Sequence, residues 1–304
     1  MNGLVIIDKP QGKTSHDVVR GVKKALGVLK AGHTGTLDPL ATGVLPVCIN
    51  EGTKLAPFFS MDTKEYRVTM LLGVKTDTQD IEGNVIASAE PQVDVNAIED
   101  ALNRFVGKIE QIPPHYSAVK FHGKSLHKWA REGIHIDLHP RMIEIFHIDV
   151  LEVTMPYVTF NVSCSKGTYM RTLCSDVGDI LGCGACLAGL RRIRSGGFFE
   201  ETAVSIEDVD AAHVISMVDA LPDVPCIIVD NVIAGKLMDG YLPLIDMFRL
   251  CHIPFVKAED VVKIIDERHC LVAIAKMLYP SDQFAVLDGK AQAMKILRVF
   301  HRED

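Results

Sequence analysis

The sequence lacks the signatures of several common enzyme classes. It contains no GxxxxGK[ST] phosphate-binding loop, and LGCGACLAG at residues 181–189 lacks the third glycine of a GxGxxG dinucleotide motif. Neither an HExxH nor a GxSxG motif occurs, so neither a zinc protease nor an α/β-hydrolase is indicated. A hydrolase that depends on a metal or a nucleotide is therefore only a minor alternative.

Long apolar runs are also absent. No uncharged apolar run approaches the roughly 18 residues of a membrane-spanning helix. The N-terminal stretch reaches Asp8 and Lys9 after a short apolar run, which is too short for the core of a signal peptide and is typical of a strand. We therefore predict a cytoplasmic protein that does not contact membranes.

The eight cysteines are scattered along the chain. Several of them lie in apolar surroundings, and a chain of this size does not need disulfides, so we predict buried free thiols for Cys48, Cys174, Cys226 and Cys270. The CxxC motif at residues 183–186 has no second cysteine or histidine pair at zinc-ligand spacing. Packing thiols are therefore favoured over a metal or redox site.

The net charge of −7 at first argues against a nucleic-acid partner. The acidity, however, belongs to residues 201–304, which hold 10 basic and 17 acidic residues, whereas residues 1–200 hold 22 of each. Two runs without acids, residues 115–131 and 186–196, are basic, and the first includes Tyr116, Phe121 and Trp129. They are either solvated surface or a surface for a polyanion.

Hydrophobic periodicity and turn residues predict an α+β fold with a mostly antiparallel sheet flanked by helices. A small β-rich domain of about 80 residues follows a boundary near residues 221–225. Strands are predicted at residues 4–8, 44–49, 66–72, 141–153, 158–163, 270–275, 284–287 and 293–300. Helices are predicted at residues 15–26 (capped by Ser15), 95–106, 168–181 and 258–267, and a polar turn at residues 76–83.

One isolated acid, Asp38, lies in GHTGTLDPLATG at residues 32–43. An aspartate before proline commonly begins a turn, and that interpretation stays open. The apolar neighbours Leu37 and Leu40 would place the carboxylate beside apolar surface, where its pKa rises unless a cation holds it ionised. A poorly hydrated but ionised carboxylate suits nucleophilic or electrostatic work at carbon.

The same stretch resembles the catalytic motif of bacterial tRNA pseudouridine-55 synthases of the TruB type. Further matches occur in order over about residues 3–200, so the resemblance does not rest on one motif. They are DKPQGKTSH (8–16), KEYRV (64–68), LGVKTDTQD (72–80), YSAVKFHGKSL (116–126), AREG (130–133), CSKGTYMRTL (164–173) and LRRIRSGGF (190–198). KILRVF at residues 295–300 suggests a degenerate PUA-like domain.

The resemblance implies a pseudouridine synthase catalytic domain at residues 1–222, with an RNA-gripping insertion at about 114–142, and a PUA-like domain at 223–304. It also implies roles for individual residues. Asp38 is the nucleophile, Tyr66 packs on the target base and is a candidate for handling its C5 proton, and Arg171 pairs with Asp38. The residues expected to contact or support bound tRNA are His33, Lys54, Tyr169 and Leu190.

The implied reaction isomerises uridine to pseudouridine at position 55 in the tRNA T-loop, without a cofactor or metal, after the nucleotide is flipped out. Asp38 could add to the base, attack C1′ of the sugar, or assist elimination through a glycal. Residues 115–131 and Arg191, Arg192 and Arg194 are expected to contact phosphates, and the protein is expected to act as a monomer. A tRNA-folding protein without chemistry is the second hypothesis.

Overall fold

A computed structural model describes residues 1–60, 63–114, 116, 120–121, 123–126, 129, 132–134 and 136–301. It confirms the predicted α+β fold: one large mixed sheet and a smaller C-terminal sheet. The strands, in chain order, are β1 (Gly3–Lys9), β2 (Ala31–His33), β3 (Thr42–Ile49), β4 (Lys64–Leu72), β5 (Val74–Thr76), β6 (Val85–Ser88), β7 (Gly107–Gln111), β8 (Lys120–Phe121), β9 (Lys124–Ser125), β10 (Arg141–Thr154), β11 (Tyr157–Cys164), β12 (Ala185–Ser195), β13 (Phe198–Phe199), β14 (Cys226–Val229), β15 (Val261–Asp266), β16 (Leu271–Met277) and β17 (Met294–Val299).

Six α-helices occur in the described part of the chain. They are α1 (Ser15–Ala25), α2 (Ala56–Phe59), α3 (Val95–Asn103), α4 (Met170–Ile180), α5 (Asn231–Met238) and α6 (Ile245–Phe248). Short 3-10 helices cover Asn50–Leu55, Glu200–Thr202, Ala211–His213 and Ser281–Gln283.

The large sheet has the strand order β1-β3-β12-β4-β11-β10-β7, with β2 paired to β3 and β13 to β12. Its pairs are antiparallel except for β3 and β12, where Arg191 and Arg192 lie opposite Thr42 and Gly43. Gly43 has a φ of +96°, and a side chain there would collide with the Arg192 carbonyl. The glycine thus allows the close approach that joins the two central strands.

The predicted alternation along β4 is confirmed. Tyr66, Val68, Met70 and Leu72 are buried on one face of the sheet. They share one hydrophobic core with apolar residues of α1, α3 and α4. This core fixes the positions of the strands and helices that carry the candidate site.

The predictions for the cap of α1 and for residues 258–267 were wrong. Thr14, rather than Ser15, caps α1, because the Thr14 side chain accepts a hydrogen bond from the Asp17 amide. The helix predicted at residues 258–267 is instead strand β15 (Val261–Asp266). Its β-branched residues, VVKII, favour a strand that is buried between β14 and β16.

The C-terminal sheet has the order β14-β15-β16-β17, which confirms a small β-rich C-terminal domain. The strand predicted at residues 284–287 is absent from this described region, because the chain there turns after a 3-10 helix (Ser281–Gln283) and buries Phe284 alone. A shared cluster joins Leu4 and Ile6 of the large sheet to Ile274 of the small one. The boundary at residues 222 and 223 stays a prediction.

The cysteine prediction holds in part. All eight thiols are free, and Cys48 and Cys174 are buried. Cys226 is half-buried and Cys270 is exposed, so the prediction was wrong for Cys270. Cys270 lies in the turn just before β16, whose first residues Leu271 and Val272 are buried.

Helix α4 carries a half-buried carboxylate, Asp176, whose ionised form is unfavourable for the folded state. Burial raises the pKa of Asp176 to about 6, with a further contribution from Asp179. Because this pKa is higher in the folded than in the unfolded state, ionisation of Asp176 destabilises the fold as the pH rises through about 4 to 6.

We therefore expect Asp176→Asn to raise the free energy of unfolding at pH 8 by about 1 kcal/mol, a figure reduced for partial exposure. At pH 4 the variant and the parent should be equal. Urea unfolding at both pH values measures the difference, with Asp100→Asn as the control, since Asp100 is exposed on helix α3. A gain of equal size at pH 4 would contradict the explanation.

Candidate active site

The Asp38 loop connects β2 to β3 and is anchored by its apolar residues. Leu37 and Leu40 are buried on either side of Asp38. The Ser15 hydroxyl donates to the Leu37 carbonyl (3.0 Å) and accepts from the Leu37 amide (2.8 Å). The Asp38 side chain keeps 39% of its surface exposed. The loop therefore presents one carboxylate on a fixed backbone, as the sequence predicted.

The buried Lys9 side chain holds this loop by hydrogen bonds to its backbone, a role that sequence analysis missed. Its side chain is fully buried, and its ammonium donates to the carbonyls of Ala41 (2.6 Å), Pro39 (3.3 Å) and Pro10 (3.0 Å). Burial lowers the pKa of Lys9 to about 8, and the nearby Asp38 carboxylate opposes that shift. The ammonium thus fixes the loop backbone at Pro39 and Ala41, directly after Asp38.

Replacing Lys9 by methionine should lower the free energy of unfolding by about 1–3 kcal/mol, because buried carbonyls would lose their donor. Urea unfolding measures the loss. Lys13→Met is the matched control, since the exposed Lys13 makes only a 3.6 Å ion pair with Glu207. If Lys9→Met is no more destabilising than this control, the ammonium does not hold the loop.

Arg171 meets Asp38 from the first turn of α4. Its guanidinium Nη2 lies 2.9 Å from Asp38 Oδ2. The side chain is 5% exposed, and Nη2 also donates to the Tyr116 carbonyl at 2.8 Å. The structure thus brings together the cation and the carboxylate that were predicted to pair.

Asp80 is a second acid at Arg171 that the sequence did not reveal. Its Oδ2 lies 3.6 Å from Arg171 Nη1, and its side chain is 11% exposed. Thr78 supports this arrangement, since its hydroxyl donates to Asp80 and its carbonyl accepts from Arg171 at 3.3 Å. Asp80 lies in the turn predicted at residues 76–83. Acids are common in turns, so the sequence does not indicate its pairing with Arg171.

A cavity of about 250 Å³ opens beside the Asp38–Arg171 pair. The predicted residues Tyr66, Tyr169 and Leu190 line it. Burial raises the pKa of Tyr66, and the Arg192 guanidinium beside it offsets part of that rise. The cavity thus combines one carboxylate with an aromatic ring and an aliphatic wall.

Gln111 fixes the N-terminal end of α4, and sequence analysis missed this role too. Its side-chain amide donates to the Tyr169 carbonyl (3.0 Å), and its oxygen accepts from the Tyr169 amide (2.7 Å). Tyr169 is the residue that precedes the first turn of α4. Gln111, at the end of β7, therefore positions both Tyr169 and the turn that carries Arg171.

A second cavity of about 420 Å³ lies on the other side of Asp38, and the predicted residue His33 lines it. Asp38 and Arg171 border both cavities. His33 Nδ1 is buried without a hydrogen-bond partner among the described residues. Burial lowers the pKa of His33, and the Arg192 charge adds to this effect.

Lys54 is not brought to either cavity. Its ammonium lies 2.6 Å from Glu51 Oε2 and donates to the Val299 carbonyl at 3.0 Å, next to the Phe300 ring. Lys54 therefore links the large domain to β17 in this structure. Its contact with RNA stays a prediction.

The structure contradicts the expected phosphate contact for Arg192 alone among the three arginines. Arg192 is 1% exposed, so it cannot reach a backbone phosphate at the surface. Arg191 binds Asp8 with two hydrogen bonds of 3.0 Å, and Arg194 binds Glu65 at 2.9 Å. Within residues 115–131, most of the basic side chains lie outside the described residues.

No group of three or more His, Cys, Asp or Glu side chains could hold a metal ion within the part of the chain that the structure describes. None of the described helices is both long and apolar enough to cross a bilayer.

Comparisons with known proteins match this arrangement to one family. Residues 23–170 match the family model of the TruB family pseudouridylate synthase (N terminal domain), and residues 171–224 match the tRNA pseudouridylate synthase B C-terminal domain. The chain is 52% identical to tRNA pseudouridine synthase B of Syntrophus aciditrophicus (strain SB), over 99% of both chains. It is 39% identical to that of Geotalea uraniireducens (strain Rf4), over 100% of this chain and 99% of that protein.

Solved structures agree with the sequence relatives. An H/ACA RNP bound to a substrate RNA containing 2′-deoxyuridine matches with a TM-score of 0.74 and 27% identity, over 99% of this chain and 86% of that chain. A Cbf5-Nop10-Gar1 complex matches with a TM-score of 0.73 and 29% identity, over 98% and 85%. The chain therefore belongs to the TruB family of tRNA pseudouridine synthases.

Proposed function

We propose that this protein converts uridine to pseudouridine at position 55 in the T-loop of tRNA, with Asp38 as the essential group and without a cofactor. The observation that carries the proposal is the 2.9 Å pair of Asp38 and Arg171 at the wall of a cavity that Tyr66 and Leu190 also line. The names of the relatives support tRNA as the substrate.

The target uridine enters the cavity only after it leaves the stacked T-loop, which costs a few kcal/mol. Tyr66 and Leu190 offset part of this cost by packing against the base. The Arg171 guanidinium lies 2.9 Å from the Asp38 carboxylate and fixes its orientation at the cavity wall. Asp38 then meets the nucleotide as an anion on a fixed loop.

The reaction exchanges one bond for another within the bound nucleotide. The N1–C1′ bond breaks, the base rotates in the cavity, and a C5–C1′ bond forms. C5 then loses its proton and N1 gains one, so the product is an isomer of the substrate. Asp38 supplies negative charge at the sugar and base during this exchange, and Tyr66 is the group proposed to handle the C5 proton.

The position of the modified uridine and the independence from a cofactor can be tested together on T-arm transcripts. We expect pseudouridine mapping to detect conversion at position 55 alone, at the same rate with and without EDTA. A transcript with cytidine at position 55 is the control and should remain unmodified at its other uridines. Conversion elsewhere would refute the position, and loss of activity in EDTA would refute the absence of a metal.

A further inference from the structure

Arg192 is a buried cation at the base cavity that the proposed chemistry has not yet used. Its side chain is 1% exposed, and the residue lies opposite Tyr66 in the pairing of β12 with β4. It lines the cavity of about 250 Å³ together with Asp38 and Leu190. Its position therefore places a full positive charge at the wall against which a flipped base would lie.

Among the described residues, the guanidinium hydrogen-bonds to neutral groups only. Nε donates to the Val44 carbonyl at 2.6 Å, and Nη2 donates to the Gly35 carbonyl at 3.3 Å. These bonds join Arg192 to the two ends of the Asp38 loop. An arginine has five N–H donors, so donors remain for a further acceptor.

No carboxylate pairs with Arg192 within the described ranges of the chain. Its neighbours differ in this respect, since Arg191 pairs with Asp8 and Glu200, Arg194 with Glu65, and Arg171 with Asp38. A buried charge without a counter-ion is costly, and a neutral amide could donate to the same two carbonyls. The cost is explained if an anion forms next to Arg192 during the reaction.

We propose that Arg192 stabilises the negative charge that develops on the uracil ring when the N1–C1′ bond breaks. The electron pair of that bond stays with the base, which becomes a uracil anion. The anion is consumed when C5 bonds to C1′, C5 loses its proton and N1 is protonated. This proposal rests on the proposed function, because the anion is an intermediate of that reaction.

Arg171 is less suited to this task. Its charge is already shared between the carboxylates of Asp38 and Asp80. Two arginines line this cavity among the described residues. Of these two, Arg192 is the one without a carboxylate partner. It also lies beside the Tyr66 hydroxyl, so base, phenol and guanidinium would be neighbours.

The test compares two T-arm RNAs in single-turnover reactions, one with uridine and one with 5-fluorouridine at position 55. Fluorine withdraws electrons and so makes the 5-fluorouracil anion more stable than the uracil anion. It should therefore replace part of the stabilisation that Arg192 supplies. We expect Arg192→Gln to slow the loss of the uridine nucleoside by about 10²–10³-fold. The loss of 5-fluorouridine should slow by only about tenfold relative to wild type, because fluorine already stabilises the anion.

Arg191→Gln is the matched control, because Arg191 faces the other side of the sheet and is paired with carboxylates. It should slow both RNAs by the same small factor. Equal slowing of both RNAs by Arg192→Gln would overturn the proposal and leave Arg192 a structural residue. If wild type and control convert neither RNA, the proposed function itself has failed.

Arg192→Lys keeps the test decisive if the glutamine variant does not fold. Lysine retains the charge but has a shorter reach and no planar fork. We expect about tenfold slowing with uridine, a smaller loss with 5-fluorouridine, and an RNA Kd close to that of wild type. Equal factors for the two RNAs in this variant would again overturn the proposal.

Discussion

Replacing Asp38 with asparagine is expected to lower turnover by about 10⁴-fold or more, the scale seen when a nucleophile is removed. The amide has nearly the same shape, so the loop and cavity should be unchanged, but it carries no negative charge. RNA binding should stay within a few-fold of wild type. Lys9 and Ser15 bind the backbone of the loop, not the carboxylate, and should hold it in either variant.

Single-turnover conversion of T-arm RNA measures the loss, and filter binding measures the Kd. Asp77→Asn is the control, since the Asp77 carboxylate accepts hydrogen bonds from Asn84 in a turn and lines neither cavity that borders Asp38. This control should retain nearly full activity. Appreciable turnover by Asp38→Asn would remove Asp38 from its proposed role.

Arg171→Lys is expected to lower kcat by about 10²–10³-fold while the RNA Kd changes only a few-fold. The planar guanidinium contacts Asp38, Asp80 and the Tyr116 carbonyl at once. A single ammonium cannot reproduce this fork, although it keeps the charge. Asp38 should therefore lose the orientation that catalysis needs.

Kinetics under saturating RNA measure kcat, and filter binding measures the RNA Kd separately. Arg194→Lys is the matched control, because Arg194 makes a comparable 2.9 Å pair with Glu65 on the opposite face of the sheet. It should leave kcat and Kd close to those of wild type. Equal losses of catalysis and binding in Arg171→Lys would argue against its pairing with Asp38 as the reason for the effect.

The sequence was informative where local pattern determines the structure. Alternation along residues 66–72 predicted the face of β4 that carries Tyr66, because one side of a strand packs on the core. The apolar neighbours of Asp38 predicted a carboxylate that needs a cation. The identity of that cation, Arg171, came from the family resemblance, since nothing local links residues so distant in sequence.

The residues that sequence analysis missed act through tertiary contacts. In the sequence Lys9 only ends an apolar run, and its role appears only when the Asp38 loop folds over it. Asp80 was interpreted as a turn acid, and its burial depends on α4. The run at residues 186–196 was interpreted as one basic surface, but strand alternation sends Arg192 inward and Arg191 outward.

The central claim is that Asp38, held in place by Arg171, isomerises one uridine. Release of tritium to water from T-arm RNA labelled at C5 of uridine 55 tests it most directly, since conversion must remove that hydrogen. We predict stoichiometric release by wild type, and none above background by Asp38→Asn at an equal level of bound RNA. Wild-type protein that binds the RNA but releases no tritium, or release by Asp38→Asn at the wild-type rate, would contradict the account.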